Sequence, residues 1–321
     1  VDKLLSIAAI TAPIFLIIAV GYLTVRTGIV DKATNRALGA FALYIALPAL
    51  IFRALAQRSI GEIVRIDYLI AYASASLVVF ALVFATARLL RGETMTGSAI
   101  RALGGSVSNS GFIGYPVAAM VLGDIAGVAL ALNMVVENII MIPLSLTLAE
   151  VGMQGSERMR GAFLQSFRRL LRNPFMISIF FGLVFALSGL ALPEPIFRTI
   201  DMLATAAGPV ALFVIGGTLV GIRIKSMVFD LVTVSVAKLL LHPLLVFSAF
   251  MLIGVADQDL VTAAVLFASV PVITVYAVLG ERFGEGEICA AILLAGTTAS
   301  FFTVTGLIWL MHYLGRLPSL H

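Results

Sequence analysis

The sequence predicts an all-α polytopic membrane protein. Ten transmembrane helices form two inverted five-helix repeats, with helices four and nine broken where they cross. Three observations predict this. Of 321 residues, 61% are hydrophobic and only 12% are charged, whereas soluble domains are about 45–50% apolar and about 25% charged. Apolar stretches able to span a bilayer recur ten times. Glycines and prolines recur at a constant offset of 161 residues. The composition, with mean hydropathy +1.10, argues against a soluble enzyme, a disordered chain and a nucleic-acid binder. The net charge of +4 is then read as loop charge facing the cytoplasm. A single cysteine, Cys289, excludes an intrachain disulfide and a cysteine-rich metal site.

A membrane-crossing helix needs about 20 mostly apolar residues. The first five stretches are 4–25, 37–52, 68–89, 97–122 and 125–148. The second five are 174–190, 200–221, 231–253, 260–280 and 288–311. The first ends in Thr24-Val25-Arg26 without a small-residue cleavage site, so it is read as a true span, not a signal peptide. The start at Val1 is read as a trimmed one. This divides the chain into a first repeat at 1–150, a linker at 151–173 and a second repeat at 174–321. The linker interleaves Arg158, Arg160, Arg168, Arg169 and Arg172 with Phe163, Phe167, Leu170 and Leu171. It reads either as a basic amphipathic helix on an anionic leaflet or as a solvated connection.

With ten spans, 14 of the 21 Lys and Arg fall on one side of the bilayer. Lys3, Arg53, Arg58, Arg65, Arg198 and Arg316 fall on the other, and Lys238 lies within span eight. The positive-inside rule makes the basic side cytoplasmic and puts both termini outside. The expected location is a bacterial inner membrane with periplasmic termini.

Pro13 and Pro174, Gly21 and Gly182, Gly28 and Gly189, and Pro48 and Pro209 share the 161-residue offset. Each shapes backbone, so the repeat concerns helix breaks and close packing. An odd number of spans per unit inverts the second copy, as in many secondary transporters. Span four contains the polar, glycine-rich run Ser106–Pro116, and span nine contains Ser269-Val270-Pro271-Val272-Ile273-Thr274. Irregular backbone at membrane depth is tolerated where it is buried or lines a cavity. Half-helix N-termini suit an anion and freed carbonyls suit a cation. The competing reading of either break is a proline kink with a small-residue packing face.

Glu137 lies centrally in span five, with Asn133 one turn earlier and Asn138 adjacent. An ionisable group at that depth is costly and marks function by default. One reading is a proton or Na⁺ site closing against Asn109 and Ser110; the other is a structural, protonated Glu. Lys238 and His242 share a face of span eight, where snorkelling toward the interface is the expectation. Arg53 is expected to anchor the outer interface, with Trp309 and Tyr313 in the aromatic belt. No phosphate-binding loop, His-Glu-x-x-His metal motif or Gly-x-Ser-x-Gly elbow occurs. The sequence therefore points away from an enzyme and a resident cofactor, leaving Na⁺ or H⁺ as the coupling ion.

These residues resemble the auxin efflux carrier family, which includes plant PIN-type carriers and many bacterial members and is distantly similar to bile-acid/sodium symporters. The resemblance covers the whole chain. Its most specific motif is Asn109-Ser110-x-x-x-Gly114-x-Pro116, with Pro271 as the second crossover point. The plant carriers have a proline where this chain has Ser108, and their pattern is neutral near Glu137. The resemblance implies a scaffold of spans one, two, six and seven that forms a homodimer. It implies a mobile transport domain of spans three to five and eight to ten. The implied cargo is a small organic anion, auxin-like or malonate-type. Substrate-binding candidates are Ser108, Asn109, Ser110, Gly111, Pro116, Pro271, Val272 and Thr274. Ion-coupling candidates are Asn133, Glu137 and Asn138, with Na⁺ near Asn109 and Glu137. A cation/proton antiporter of crossed-helix design and a non-transporting receptor are the alternatives.

Overall fold

A computed structural model describes residues 2–58, 60–154, 171–190, 192–221 and 228–314, with the side chains of 2–11, 60 and 154 left out. The described residues are helical throughout, with no strand beyond one isolated bridge. Helix α1 is Asp2–Arg26 and α2 is Lys32–Ala56. Helix α3 is Ile66–Ala85, α4 is Met95–Ser106 and α5 is Tyr115–Leu122. Helix α6 is Ile125–Met153, α7 is Pro174–Ser188 and α8 is Glu194–Thr218. Helix α9 is Val228–Ile253, α10 is Gln258–Ser269, α11 is Tyr276–Glu281 and α12 is Gly286–Tyr313. Helix occupies all ten apolar stretches expected from the sequence. Six helices among the described residues are long and apolar enough to cross a membrane: α2, α3 (with its flanking turns), α6, α8, α9 and α12. Shorter apolar helices fill the other stretches. Most of the expected amphipathic linker, including Arg158, Arg160, Phe163, Phe167, Arg168, Arg169 and Leu170, lies outside the described residues.

Prolines shape the helices more than the apolar pattern suggests. Besides a π turn at Thr86–Leu90 with no proline after it, single π turns occur at Ala42–Ala46, Ser110–Gly114, Glu137–Met141 and Ala237–Leu241. Each is followed, two residues on, by a proline: Pro48, Pro116, Pro143 and Pro243. A proline ring clashes with the carbonyl four residues back and offers it no N–H. The residue before each proline instead bonds five residues back: Leu47 to Ala42, Tyr115 to Ser110, Ile142 to Glu137 and His242 to Ala237. The turn widens by one residue, which relieves the clash. Such widened turns gather at functional positions, and here they carry Ser110, Glu137 and Lys238.

Glycines let two helix pairs touch backbone to backbone or nearly so. A Cβ on Gly21 of α1 would lie 2.0 Å from the Phe213 carbonyl oxygen of α8, and one on Gly216 would lie 1.9 Å from that of Ile18. A Cβ on Gly182 of α7 would lie 2.9 Å from Leu55 of α2. Gly217 makes a close contact inside the chain, where its Cβ would meet Asn35 at 2.4 Å. Gly221 lies beyond the end of α8, at φ +87°.

Ion pairs join distant segments at both ends of the bundle. Arg101 of α4 binds Asp230 of α9 at 3.0 Å, with both side chains 7% exposed, and also reaches Glu93 and Glu285. Arg65, ahead of α3, reaches Asp257, whose side chain caps α10. Arg53 does more than anchor an interface, since it pairs with Asp201 of α8. Trp309 and Tyr313 stack with centroids 5.7 Å apart on the surface of α12.

Candidate functional site

The two breaks meet. After α4, Val107 turns extended at φ −112°, ψ 131°. After α10, Val270 does the same at φ −78°, ψ 159°. Ser108 and Val272 then pair as an antiparallel bridge, and the Asn109 backbone N–H donates to the Pro271 carbonyl at 2.8 Å. Neither break could satisfy its own backbone in hydrocarbon, and each supplies part of what the other lacks. The Asn109 side chain adds a second tie, its Nδ2 donating to Thr274 Oγ1 at 2.9 Å.

Glu137 reaches this junction from α6. Its Oε1 accepts the Ser108 backbone N–H at 3.2 Å and the Ser110 hydroxyl at 2.7 Å. Glu137 is 2% exposed. Its Oε2 has no hydrogen-bond partner among the described residues. The N–H group expected to receive a substrate carboxylate is thus held by the chain's own carboxyl group.

A cavity of about 340 Å³ opens against the junction. Of the substrate-binding candidates, Ser108, Asn109, Ser110, Gly111 and Thr274 line it. Of the ion-coupling candidates, Glu137 and Asn138 line it. Pro271 and Val272 are the backbone behind it. Pro116 is the second residue of α5 and sits beside Gly208 of α8. Asn133 is not brought to the cavity: its Oδ1 accepts the Tyr68 hydroxyl at 2.8 Å, facing α3. Its Nδ2 is buried without a partner among the described residues.

Residues that the sequence did not assign to the site complete it, among them Arg172, expected only as part of the basic linker. Tyr72 places its hydroxyl 3.3 Å from Ser108 Oγ. Tyr68, Tyr72 and Ser76 recur every fourth residue, a polar stripe that helical spacing made legible. Arg172 and Asn173 line the cavity from the entrance of α7. Asn173 caps α7 by accepting the Phe175 N–H at 2.9 Å, and its Nδ2 donates to Asn138 Oδ1 at 2.8 Å. The Asn-Pro start of a helix was the available signal.

Lys238 does not snorkel. It is 2% exposed and donates to the Ala268 carbonyl at 2.5 Å, the last turn of α10 before its break. The carbonyl freed by the break is thus held by the Lys238 amino group. Lys238 Nζ also lies 3.0 Å from His242 Nδ1, and His242 Nε2 lies 3.0 Å from Ser76 Oγ. With Lys238 as ammonium, Nδ1 must accept, so Nε2 carries the ring proton and donates to Ser76. No group of three or more His, Cys, Asp or Glu able to hold a metal ion occurs among the described residues. A second, more polar chamber of about 270 Å³ is lined by Arg53, Arg58, Glu62, Tyr115 and Asp124.

Comparison with known proteins gives these residues a context. The family model described as "Membrane transport protein" matches residues 7–309. The chain is 34% identical over 317 residues to the "Putative malonate transporter" of Rhizobium meliloti (strain 1021), covering 98% of each. It is 24% identical over 318 residues to the "Uncharacterized transporter YfdV" of Escherichia coli (strain K12), covering 96% of this chain and 97% of that one.

Proposed function

The chain belongs to the membrane transport protein family, the auxin efflux carrier family that its sequence resembles, and from that premise we propose that it is a proton-coupled carrier of small organic carboxylates. It is a multi-pass membrane transporter, so its substrate is a small molecule and its surroundings are lipid. The observation that carries the finer reading is the cavity at the junction of the two broken helices, where Asn109, Thr274 and Glu137 converge. The Asn109 amide retains a second N–H, and the Thr274 hydroxyl proton is not used by its bond to Asn109. Both can donate to a carboxylate. The malonate named for the Rhizobium meliloti relative is of this class.

Glu137 supplies the coupling. Two like charges about 5 Å apart repel by roughly 3 kcal/mol at an effective dielectric of 20. A substrate anion is therefore disfavoured beside an ionised Glu137 and admitted once that carboxyl takes a proton. Protonation also frees the Ser108 N–H for the incoming anion. The cycle thus carries H⁺ with the anion.

The architecture proposed is ten spans in two inverted five-helix repeats. Two facts support it: the two breaks pair with each other, and Gly21 and Gly182, one repeat apart, each serve a close helix contact. The scaffold would be α1, α2, α7 and α8, forming a homodimer. The remaining helices would move as the transport domain. The basic side faces the cytoplasm of a bacterial cell, with both termini periplasmic.

The test is malonate uptake into proteoliposomes with imposed pH or Na⁺ gradients. Uptake is expected to follow an inward proton gradient and to ignore Na⁺. Glu137→Gln is expected to lose the pH dependence. Full-rate uptake by that variant with an unchanged pH profile would remove Glu137 from the coupling. Proton flux driven by Na⁺, with carboxylates inert, would instead favour a cation antiporter.

A further inference from the structure

We propose that Arg172 is the seat of a second carboxylate, so that the cavity selects dicarboxylates over monocarboxylates; this rests on the carboxylate reading above. The charge on the cavity wall is spare. Among the described residues lining it, Glu137 is the one acid and Arg172 the one base. Glu137 must be neutral when an anion sits beside it, so Arg172 is then the net charge of the wall. Asn109 and Thr274 provide neutral donors for one carboxylate at the junction. Arg172 stands at the α7 entrance, where a planar guanidinium offers a bidentate fork to another.

The backbone beside Arg172 is held by its neighbours. Asn173 is bonded on one side to the Phe175 N–H of α7 and on the other to Asn138 of α6. Asn138 directly follows Glu137. The same amide contact therefore ties the basic rim to the helix that carries the acid. Pro174 fixes the backbone on entry to the helix. Arg172 is solvent-exposed and makes no ion pair among the described residues, so its guanidinium is not committed to an acid of the chain. At about 340 Å³, the cavity has the size of an ordinary small-molecule site. A monocarboxylate fills the junction seat and leaves Arg172 to water. A short diacid engages both.

The test uses malonate and its monoamide, malonamate, which keeps the shape and removes one charge. Binding is read as thermal stabilisation of the purified, detergent-solubilised protein over a ligand titration at about pH 7, where both malonate carboxyls are ionised. The wild type is expected to bind malonate at least tenfold more tightly than malonamate. Arg172→Gln is expected to weaken malonate by about ten- to a hundredfold, the usual size of a charge-assisted contact, and to leave malonamate unchanged. Arg172→Lys is expected to recover part of the preference. Equal affinities in the wild type, or equal weakening of both ligands by Arg172→Gln, would overturn the assignment while leaving a carboxylate site intact. Stabilisation by neither ligand would overturn the carboxylate reading itself.

Discussion

Glu137 and Lys238 bring an acid and a base to the two broken helices, each at the end whose dipole it complements. The Glu137 carboxyl meets the Ser108 N–H and Ser110 hydroxyl ahead of α5. The Lys238 amino group meets the Ala268 carbonyl at the end of α10. A half-helix carries partial positive charge at its N-terminus and partial negative charge at its C-terminus. In hydrocarbon, water does not screen either end. Lys238→Met keeps the length of the side chain and removes the donor. It leaves a buried carbonyl and a buried imidazole nitrogen unsatisfied, which costs about 1–3 kcal/mol. The expected outcome is a melting temperature several degrees lower, read by intrinsic fluorescence in detergent. An unchanged melting temperature would mean that water replaces the amino group at no cost. Glu137 was legible in the sequence because an acid in mid-span stands out. The role of Lys238 was not: counting residues to the membrane edge suggested snorkelling, and the carbonyl it binds lies 30 residues away.

Proline spacing sets the phase of these helices. Pro143 follows the π turn that begins at Glu137, and Pro243 follows the one that contains Lys238. One extra residue in a turn rotates everything beyond it by about 100°, the angle per residue of a helix with 3.6 residues per turn. Asn133 and Glu137 precede that rotation, joined by a regular turn in which the Glu137 N–H donates to the Asn133 carbonyl, so the wide turn re-aims the residues beyond Met141 relative to both. Pro143→Ala restores the missing N–H and lets the turn relax to α geometry. The expected outcome is a protein of equal or greater thermal stability that has lost stabilisation by malonate. Retained ligand stabilisation would show that packing, not the proline, holds the wide turn. The breaks at Ser106–Pro116 and Ser269–Thr274 were visible as polar, glycine- and proline-rich runs. The four wide turns were not, because an isolated proline in an apolar run reads equally as a kink.

At the scale of the molecule, the cavity lies between parts assigned to different bodies. Asn138 belongs to α6, and Asn173 to the entrance of α7, and their side-chain amides meet at 2.8 Å. If α6 moves against α7 during transport, this contact must break in every cycle. Cys289, the single native cysteine, is buried, so Asn138→Cys with Asn173→Cys gives a nearly clean background. Bridging that pair with Hg²⁺ is expected to stop malonate uptake, and excess thiol to restore it. Uptake that persisted after bridging would mean that α6 and α7 travel together. The sequence by itself determined the membrane class, the places of the helices, the two breaks and most of the residues at their junction. These follow from local properties: hydrophobic runs, backbone-shaping residues and acids where none should be. Only the tertiary structure decided that each break satisfies the other, that Lys238 holds the freed carbonyl and that Arg172 joins the cavity wall. These depend on contacts between segments far apart in the chain, where hydrogen-bond demand in one segment is met by supply in another, and no local pattern encodes that match.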